Sequence, residues 1–478
     1  MNFPGRHWFV LSLICVCHVG ISVRAGERPN IVFVYTDDQA AWALGLAESS
    51  HARTPNLDRL FRSGAYLVNA FTTTPVCSPS RASLMTSRYG TEIGITDWIN
   101  PRTEAEHGLD PAHVTWPKLL AKAGYRNALI GKWHLGTADR FHPTRFGFHH
   151  FMGFRSGGNV PQDPTLEVAG RLRKLSGLLP DLLVDDAIAF LRRQKSVFLL
   201  ALHFRAPHTR WLPVADDDWA PFKDLDPVIP NPDYPKLDVA RVKRMTREYL
   251  ASVASVDRNV GRLLDELQRL QLSQNTIVIF SSDHGYNMGH NGIWHKGNGH
   301  WVLTAPPPAA PNIPRNQRPN MYDHSLRVPT AVRWPGVVQP GTVITNTISN
   351  LDWFPTILEM AGIDLPRGQL IRGRSIVPLL KGQSDTWDND FYAEYSTHHQ
   401  SRTQMRMYRT PDWKLVRDLK NPTRDELFNL RNDPGESTNL IRSEQADIVA
   451  VRDRLQQRLS ERMRQNGDPA LATKPPSP

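Results

Sequence analysis

Residues Ile31 to Asp38 read IVFVYTDD, a run of five apolar, β-forming residues that ends in one threonine and two aspartates. A strand that is apolar at consecutive positions is buried on both faces, as in a mostly parallel sheet covered by helices. Adjacent carboxylates repel each other unless a cation neutralises them, so Asp37 and Asp38 point to a hard metal ion. The pair does not decide this alone, because two aspartates are also common at the start of a helix.

Three further apolar runs end in polar residues in the same manner. They are Ala128–Ile130 before Gly131-Lys132-Trp133-His134, Val197–Leu202 before His203, and Thr276–Phe280 before Ser281-Ser282-Asp283-His284. Helical periodicity lies between the runs, over Thr115–Ala123, over Leu182–Arg193 and from about Val239 to Leu270. Alternating strands and helices predict an α/β fold, in which ligands bind at the carboxyl ends of the strands. We therefore expect the four polar clusters to meet at one edge of a sheet.

The C-terminal part of the chain has a different pattern. Short segments at Phe391–Tyr395, Met405–Tyr408 and Lys414–Val416 are followed by an amphipathic stretch over Gln445–Met463. They predict a small antiparallel sheet closed by a helix. We expect a catalytic domain over residues 26–380, a C-terminal subdomain over residues 381–465 and a flexible tail over residues 466–478.

The N-terminus has the pattern of a secretory signal peptide over residues 1–25. Arg6 and His7 precede an apolar run from Trp8 to Val23, and small residues follow at a suitable cleavage position. The alternative is a membrane anchor, but the run is short for a spanning helix of roughly 20 residues. We therefore expect a secreted or periplasmic protein without stable membrane insertion. The chain has no Asn-x-Ser/Thr sequon with a non-proline centre, which favours a bacterial source.

Cysteine usage isolates one residue. The chain has three cysteines, and Cys15 and Cys17 lie in the predicted signal peptide, so Cys77 is left as an unpaired thiol. A lone cysteine in an exported protein needs an explanation, and the simplest one is a small buried side chain. The net charge is +10, or +8 without Arg6 and Arg24 of the predicted signal peptide, which suits attraction to a polyanion; the alternative is that most of the basic stretches form solvated helix faces. No nucleic-acid-binding module is recognisable, and we expect no nucleic-acid partner.

The neighbours of Cys77 offer a different explanation. The stretch from Pro75 to Arg81 reads PVCSPSR, and its Cys-x-Pro-x-Arg pattern resembles the modification motif of the type I, formylglycine-dependent sulfatases. Other matches to that family follow in its order, at Asp37-Asp38, Gly124-Tyr125, Gly131-Lys132-Trp133-His134, Ala206-Pro207-His208, Asp283-His284-Gly285, Arg327-Val328-Pro329 and Glu426-Leu427-Phe428. The resemblance spans roughly residues 28–440. It implies the alkaline-phosphatase-like fold, a large mostly parallel or mixed sheet between helices with a smaller C-terminal α+β subdomain.

The resemblance also implies a mechanism. A maturation enzyme oxidises Cys77 to formylglycine, whose hydrate attacks the sulfur of a sulfate ester and later releases sulfate. One divalent metal, Ca²⁺ in this family, is implied to be held by Asp37, Asp38, residue 77, Asp283 and His284. Oxygen-rich ligation suits calcium. His284 replaces the asparagine of many members, and an imidazole leaves the identity of the metal more open than its presence.

The family assigns roles to five further residues. Arg81 and Lys132 would hold the hydrate and offset developing negative charge. His134 would assist deprotonation of the hydrate or breakdown of the sulfated enzyme. His208 and Lys296 would bind sulfate and help to protonate the leaving oxygen. Two positions depart from the family's signatures, Ser87 in place of glycine and Asn127 in place of serine or threonine.

We expect a sulfatase that acts on a sulfated carbohydrate. The glycan part rests on family analogy, the export signal and the basic charge. One rival is a phosphodiester or phosphonate monoester hydrolase of the same superfamily, and another is a polyanion-binding protein with an inactive site. Substrate specificity lies in loops, and the candidate subsite walls are Arg140–Asn159, Trp301–Asn320 and Thr397–Arg406.

Overall fold

The structure is a computed structural model that describes Met1 and residues 28–47, 51–383 and 386–472. Apart from Met1, the predicted signal peptide lies outside the described residues, as does the end of the predicted tail from residue 473 onward. Among the helices that are described, none combines the length and the apolar character needed to cross a membrane.

Strands and helices are interspersed along the described part of the chain. The strands are β1 (Asn30–Thr36), β2 (Ala65–Leu67), β3 (Ala70–Phe71), β4 (Arg126–Lys132), β5 (His150–Phe154), β6 (Thr165–Val168), β7 (Arg171–Lys174), β8 (Phe198–His203), β9 (Thr276–Ser282), β10 (Asn287–Met288), β11 (Ile293–His295), β12 (His300–Trp301), β13 (Ala331–Arg333), β14 (Thr342–Ile344), β15 (Ile348–Ser349), β16 (Phe391–Tyr395), β17 (Met405–Arg409), β18 (Trp413–Asp418) and β19 (Glu426–Asn429). The α-helices are α1 (Pro55–Arg62), α2 (Cys77–Thr86), α3 (Trp116–Lys122), α4 (Leu179–Arg193), α5 (Asp216–Trp219), α6 (Val239–Arg269), α7 (Asp323–Leu326), α8 (Trp353–Met360), α9 (Val377–Leu380) and α10 (Ala446–Gln465).

A mixed sheet forms the centre of the protein. Within the described ranges its ten strands follow the order β14-β2-β13-β9-β1-β8-β4-β5-β6-β7. The five central strands, from β9 to β5, are mutually parallel, whereas β13, β6 and β7 bring antiparallel pairings at the flanks. The predicted α/β fold with a large mixed sheet is therefore confirmed.

The consecutive apolar residues of β1 reflect burial on both faces of the sheet. Ile31, Phe33 and Tyr35 face the core that contains helices α2, α3 and α8, and Val32 and Val34 face the core that contains α4 and α6. All five side chains are fully buried. Burial of each large apolar side chain stabilises the fold by roughly 1.5–3 kcal/mol, so β1 anchors both layers of helices.

The C-terminal part forms the predicted antiparallel sheet, in the order β16-β17-β18-β19. Helix α10 packs Leu455, Leu459 and Met463 against this sheet. The domain boundary near residue 380 stays a prediction.

The predicted flexible tail is wrong for its first residues. Residues 466–472 are ordered against the C-terminal sheet and include a 3-10 helix at Pro469–Leu471. Asp468 forms an ion pair with the fully buried Arg406, whose charge requires a carboxylate partner.

Candidate active site

The carboxyl ends of β1 and β9 bring three carboxylates together. The two strands are parallel and pair Thr36 with Ser282, so the residues that follow them leave the sheet side by side. Asp38 has a left-handed backbone, with φ 70°, and its N–H donates to Asp283 Oδ1 at 3.2 Å. Asp37, Asp38 and Asp283 are all fully buried at this edge.

Cys77 is the first residue of α2 and lies over these carboxylates. Its Sγ is 3.4 Å from Asp37 Oδ1 and 3.4 Å from His284 Nε2. Arg81 follows one helical turn later on the same face, where its Nε donates to Asp283 Oδ2 at 3.0 Å. The first turn of α2 is thus attached to the ends of both strands.

Ser87 and Asn127, the two departures from the family signatures, form hydrogen bonds that hold the end of α2 and the strand β4 in place. Ser87 ends α2 in the left-handed region, with φ 55°, which explains why glycine is usual there. Its hydroxyl donates to Leu351 O at 2.9 Å and accepts from Gly373 N at 2.8 Å. Asn127 on β4 donates from its amide to the carbonyls of Pro117 and Gly147, which ties this strand to its surroundings.

The donor set fits a divalent metal. The ligating atoms of Asp37, Cys77, Asp283 and His284 lie within 4.8 Å of one another, and the same holds for Asp37, Asp38, Cys77 and His208. Asp38 Oδ2 is buried and has no hydrogen-bond partner. A buried carboxylate oxygen without a partner is costly unless a cation or water completes its coordination. Carboxylate oxygens with one imidazole suit a divalent ion, so these residues could hold one.

Two lysines balance the acidic cluster. Lys132, the last residue of β4, places Nζ 2.5 Å from Asp37 Oδ2, and Lys296 places Nζ 2.7 Å from Asp38 Oδ1. Burial acts to raise the pKa of Asp37, but the charge of Lys132 holds it well below its usual range. Burial raises the pKa of Asp38 to about 7 and that of Asp283 to about 6. Asp37 is therefore the most firmly ionised of the three acids.

The side chain of Cys77 as encoded is a neutral thiol. Burial, together with the charge of Asp37, raises its pKa to about 12. Lys296 Nζ donates to Cys77 Sγ at 3.0 Å. Burial alone would lower the pKa of Lys296, yet Asp38 and the other acids raise it well above its usual range, so Lys296 is an ammonium. A thiol that does not ionise is a poor nucleophile.

His134 and His208 complete the set of predicted residues. His134 follows β4 with φ 59°, and its Nε2 donates to Ile99 O at 3.1 Å. His208 Nε2 lies 4.0 Å from Asp38 Oδ2, and its side chain is 21% exposed. Burial lowers the pKa of both histidines well below the usual range, so both are neutral at neutral pH. The residues proposed from the sequence as catalytic or metal-binding thus lie in one cluster.

A cavity of about 350 Å³ opens over this cluster. It is lined by Val76, Cys77, Trp98, Ile99, Pro101, His134, Ser156, Gly157, Gly158, His208, His295, Lys296 and Asn298. Glycine is required at position 157, because a Cβ there would lie 2.5 Å from His134 Nε2. Of the three segments expected to be subsite walls, only Arg140–Asn159 contributes to this lining among the described residues.

Several lining residues are not predicted from the sequence. His295 and Asn298 lie within two residues of Lys296, and that proximity could have identified them. Trp98 and Ile99 lie in a loop that no motif marks, more than ten residues after α2 ends. Their position follows from tertiary packing alone.

Residues 29–363 match the family described as Sulfatase, and residues 316–465 match the family described as N-sulphoglucosamine sulphohydrolase, C-terminal. The chain belongs to the sulfatase family. It is a sulfuric ester hydrolase, and both the predicted family and the predicted class of enzyme are confirmed. Sulfatases generally use a formylglycine and a metal ion.

The sulfatase relatives differ in their named substrates. The N-acetylglucosamine-6-O-sulfatase of Bacteroides thetaiotaomicron is 27% identical over 92% of this chain and 87% of its own length. The steryl-sulfatase of Mus musculus is 29% identical over 81% of this chain and 72% of its own length. A solved structure described as a complex with its substrate D-glucosamine-2-N,6-O-disulfate has a TM-score of 0.79 at 24% identity, covering 92% of this chain and 99% of that one. This last likeness bears on the fold alone.

Proposed function

We propose that the protein is an exported sulfatase that removes sulfate from a sulfated carbohydrate, with formylglycine at position 77 and Ca²⁺ as its metal. The observation that carries the proposal is the convergence on Cys77 Sγ of Asp37 Oδ1, His284 Nε2 and Lys296 Nζ, at 3.4, 3.4 and 3.0 Å. A carboxylate, an imidazole and an ammonium around one atom suit activation of an oxygen at that atom.

Asp37, Asp38, Asp283 and His284 would hold the metal, together with residue 77. The bound ion would lower the pKa of a hydroxyl at residue 77 and neutralise charge near the sulfate. Formylglycine at position 77, once hydrated, would supply two hydroxyls on one carbon, one to attack sulfur and one to expel sulfate afterwards. Arg81, which donates to Asp283 and to Lys132 O, keeps α2 in register with the ends of β4 and β9.

The bases and cations of the cluster have separable tasks. Lys296 carries its ammonium beside residue 77, where it can bind a negative sulfate oxygen. His134 is neutral and buried near residue 77, so it can accept a proton. His208 is neutral in the free protein, but an anionic ester beside it raises its proton affinity. It can then donate that proton to the leaving alcohol oxygen.

Three observations support a carbohydrate as the substrate. A relative that covers most of the chain is named for an amino-sugar sulfate. The cavity of about 350 Å³ has the size of a small ligand site and suits one sugar ring with its sulfate. The net charge of +10, of which Arg6 and Arg24 in the predicted signal peptide contribute two, leaves a basic protein that attracts sulfated polymers. Export is supported by the signal-peptide pattern over residues 1–25.

The test combines a mass spectrum with an assay. The active protein, produced with a formylglycine-generating enzyme, should yield a peptide with an aldehyde or its hydrate at position 77 and should release sulfate from N-acetylglucosamine 6-sulfate. Cys77→Ala is the matched control and should be inactive. Full activity with an unmodified thiol would refute the mechanism. A much larger kcat/KM for a phosphodiester than for the matching aryl sulfate would indicate a phosphodiester or phosphonate monoester hydrolase instead. A preference for a steryl sulfate over the sugar sulfate would refute the proposal that the substrate is a carbohydrate.

A further inference from the structure

Outside the cluster of candidate catalytic and metal-binding residues around Cys77, the wall of the cavity is uncharged. Apart from Lys296, the described residues that line it include neither lysine, arginine, aspartate nor glutamate. His295 is neutral, because burial lowers its pKa well below the usual range. Val76, Trp98 and Ile99 supply the apolar part of the wall, and Trp98 is its largest side chain.

Trp98 is held between this cavity and the apolar core. Its side chain packs against the buried cluster that contains Val76, Leu326 and Tyr395, and it remains half-buried on the cavity side. The imidazole ring of His399 lies against the indole, with ring centroids 4.3 Å apart and planes at 40°. The indole is therefore held by the apolar cluster and by the His399 ring on the sides that face away from the cavity.

The backbone around Trp98 is also fixed. His399 Nε2 donates to Trp98 O at 2.8 Å, and the N–H of His398 donates to Asp97 Oδ2 at 3.0 Å. On the other side, Ile99 N donates to Ser78 Oγ at 3.0 Å, one residue after Cys77. These bonds connect the loop both to the C-terminal sheet region and to the helix that carries the nucleophile, so the indole is positioned before substrate binds.

We infer that Trp98 is a stacking platform for the sugar ring that carries the sulfate, and that this ring bears no second anionic group. The inference rests on the proposed function. An aromatic face offers a large apolar contact for the C–H face of a sugar. An uncharged wall disfavours a second sulfate or a carboxylate, because a buried anion without a partner is costly.

The role of Trp98 is tested with two substrates of different size. N-acetylglucosamine 6-sulfate can contact Trp98, whereas methyl sulfate is too small to do so. We expect Trp98→Ala to raise KM for the sugar about tenfold with little change in kcat, and to leave kcat/KM for methyl sulfate unchanged. Trp98→Phe should keep most of the affinity. Trp387→Ala, which removes a tryptophan outside the cavity that stacks on Arg374, is the matched control and should change neither substrate.

The outcomes are distinct. Equal losses on both substrates would assign Trp98 a structural role only, and an unchanged KM for the sugar would also overturn the inference. Failure of the wild-type protein to release sulfate from either substrate would instead refute the proposed function. Thermal unfolding of each variant shows whether the fold is kept.

The charge of the ring is tested separately on the wild-type protein. Glucosamine-2-N,6-O-disulfate carries a second sulfate on the same ring, and we expect its kcat/KM for release of the 6-sulfate to be at least about tenfold below that of N-acetylglucosamine 6-sulfate. An equal or higher kcat/KM for the disulfate would overturn the inference that the ring bears no second anionic group. Calorimetric binding of the desulfated sugar to wild type and Trp98→Ala gives a readout that is independent of catalysis.

Discussion

Lys296 Nζ lies 3.0 Å from Cys77 Sγ and 2.7 Å from Asp38 Oδ1, so one buried ammonium contacts both the proposed nucleophile position and a candidate metal ligand. The lysine lies on the loop that follows β11. Asn320 fixes that loop by donating its amide to Lys296 O at 3.0 Å. This hydrogen bond helps to hold the ammonium at the place where we propose that a sulfate oxygen binds.

Replacement of Lys296 by alanine should lower kcat about 10²–10³-fold, because one preorganised cation is lost from the charge-developing centre. Steady-state kinetics on a sulfate ester would measure this. Lys243→Ala is the control, since Lys243 pairs with Asp226 at the surface. A rise in KM without a change in kcat would contradict the prediction and assign Lys296 to ground-state binding.

Removal of divalent ions should inactivate the protein and lower its Tm. A ligand present at about 100 times its Kd stabilises the folded state by about 2.7 kcal/mol, so added Ca²⁺ should restore a Tm several degrees higher. The Asp38→Asn variant should respond less to Ca²⁺, because it loses the buried oxygen that has no other partner. An equal calcium-dependent rise in Tm for both proteins would exclude Asp38 from the metal site.

The central strands were predictable because each one is marked by a pattern of consecutive residues within its own sequence. A continuous apolar run such as Ile31–Tyr35 can be buried only on both faces, and polar residues after it mark the carboxyl edge of a parallel sheet. The order of these strands and the antiparallel pairing of β13 depend on partners far apart in sequence. No local pattern encodes those pairings.

The cavity wall and residues 466–472 likewise depend on contacts between residues far apart in sequence. Trp98 lines the cavity because His399, 301 residues away, supports its backbone. Residues 466–472 are ordered because Asp468 meets Arg406 on a strand 62 residues earlier. By contrast, the residues around Cys77 lie in short motifs, most of them at a strand end or a helix start, and the resemblance of these motifs to the sulfatase family pointed to them.

Asp257, a residue outside the active site, makes the free energy of unfolding depend on pH. This buried residue of α6 accepts the N–H of Leu57 at 2.7 Å and the N–H of Asn56 at 3.3 Å, and so caps the first turn of α1. Burial raises its pKa to about 6. A carboxyl whose folded pKa is raised contributes stability below its unfolded pKa, near 4, and loses it as pH rises through 6.

The Asp257→Asn variant isolates this effect, because asparagine does not titrate. The free energy of unfolding of wild type minus that of the variant should fall by about 2 kcal/mol between pH 4 and pH 7, since a tenfold difference in proton affinity between the folded and unfolded protein corresponds to about 1.4 kcal/mol and the unfolded carboxyl is already partly ionised at pH 4. Urea unfolding at both pH values would measure the difference. A difference that grows with pH would mean that the folded protein favours the carboxylate.

The end of α10 is stabilised by a buried ion pair. Arg406 is fully buried on β17 and donates Nη2 to Asp468 Oδ1 at 2.9 Å, while Tyr392 donates its hydroxyl to Asp468 Oδ2 at 3.2 Å. A deletion of residues 466–478 should lower the free energy of unfolding by about 3–5 kcal/mol, because it leaves the charge of Arg406 buried without a partner.

Two variants make this experiment specific. A deletion that starts at residue 473 keeps Asp468 and should leave the stability unchanged, whereas Asp468→Ala in the full chain should reproduce most of the loss. Denaturant unfolding followed by circular dichroism would compare the three proteins with wild type. If the longer deletion is as stable as the shorter one, then water or another carboxylate compensates Arg406, and residues 466–472 contribute nothing to the fold.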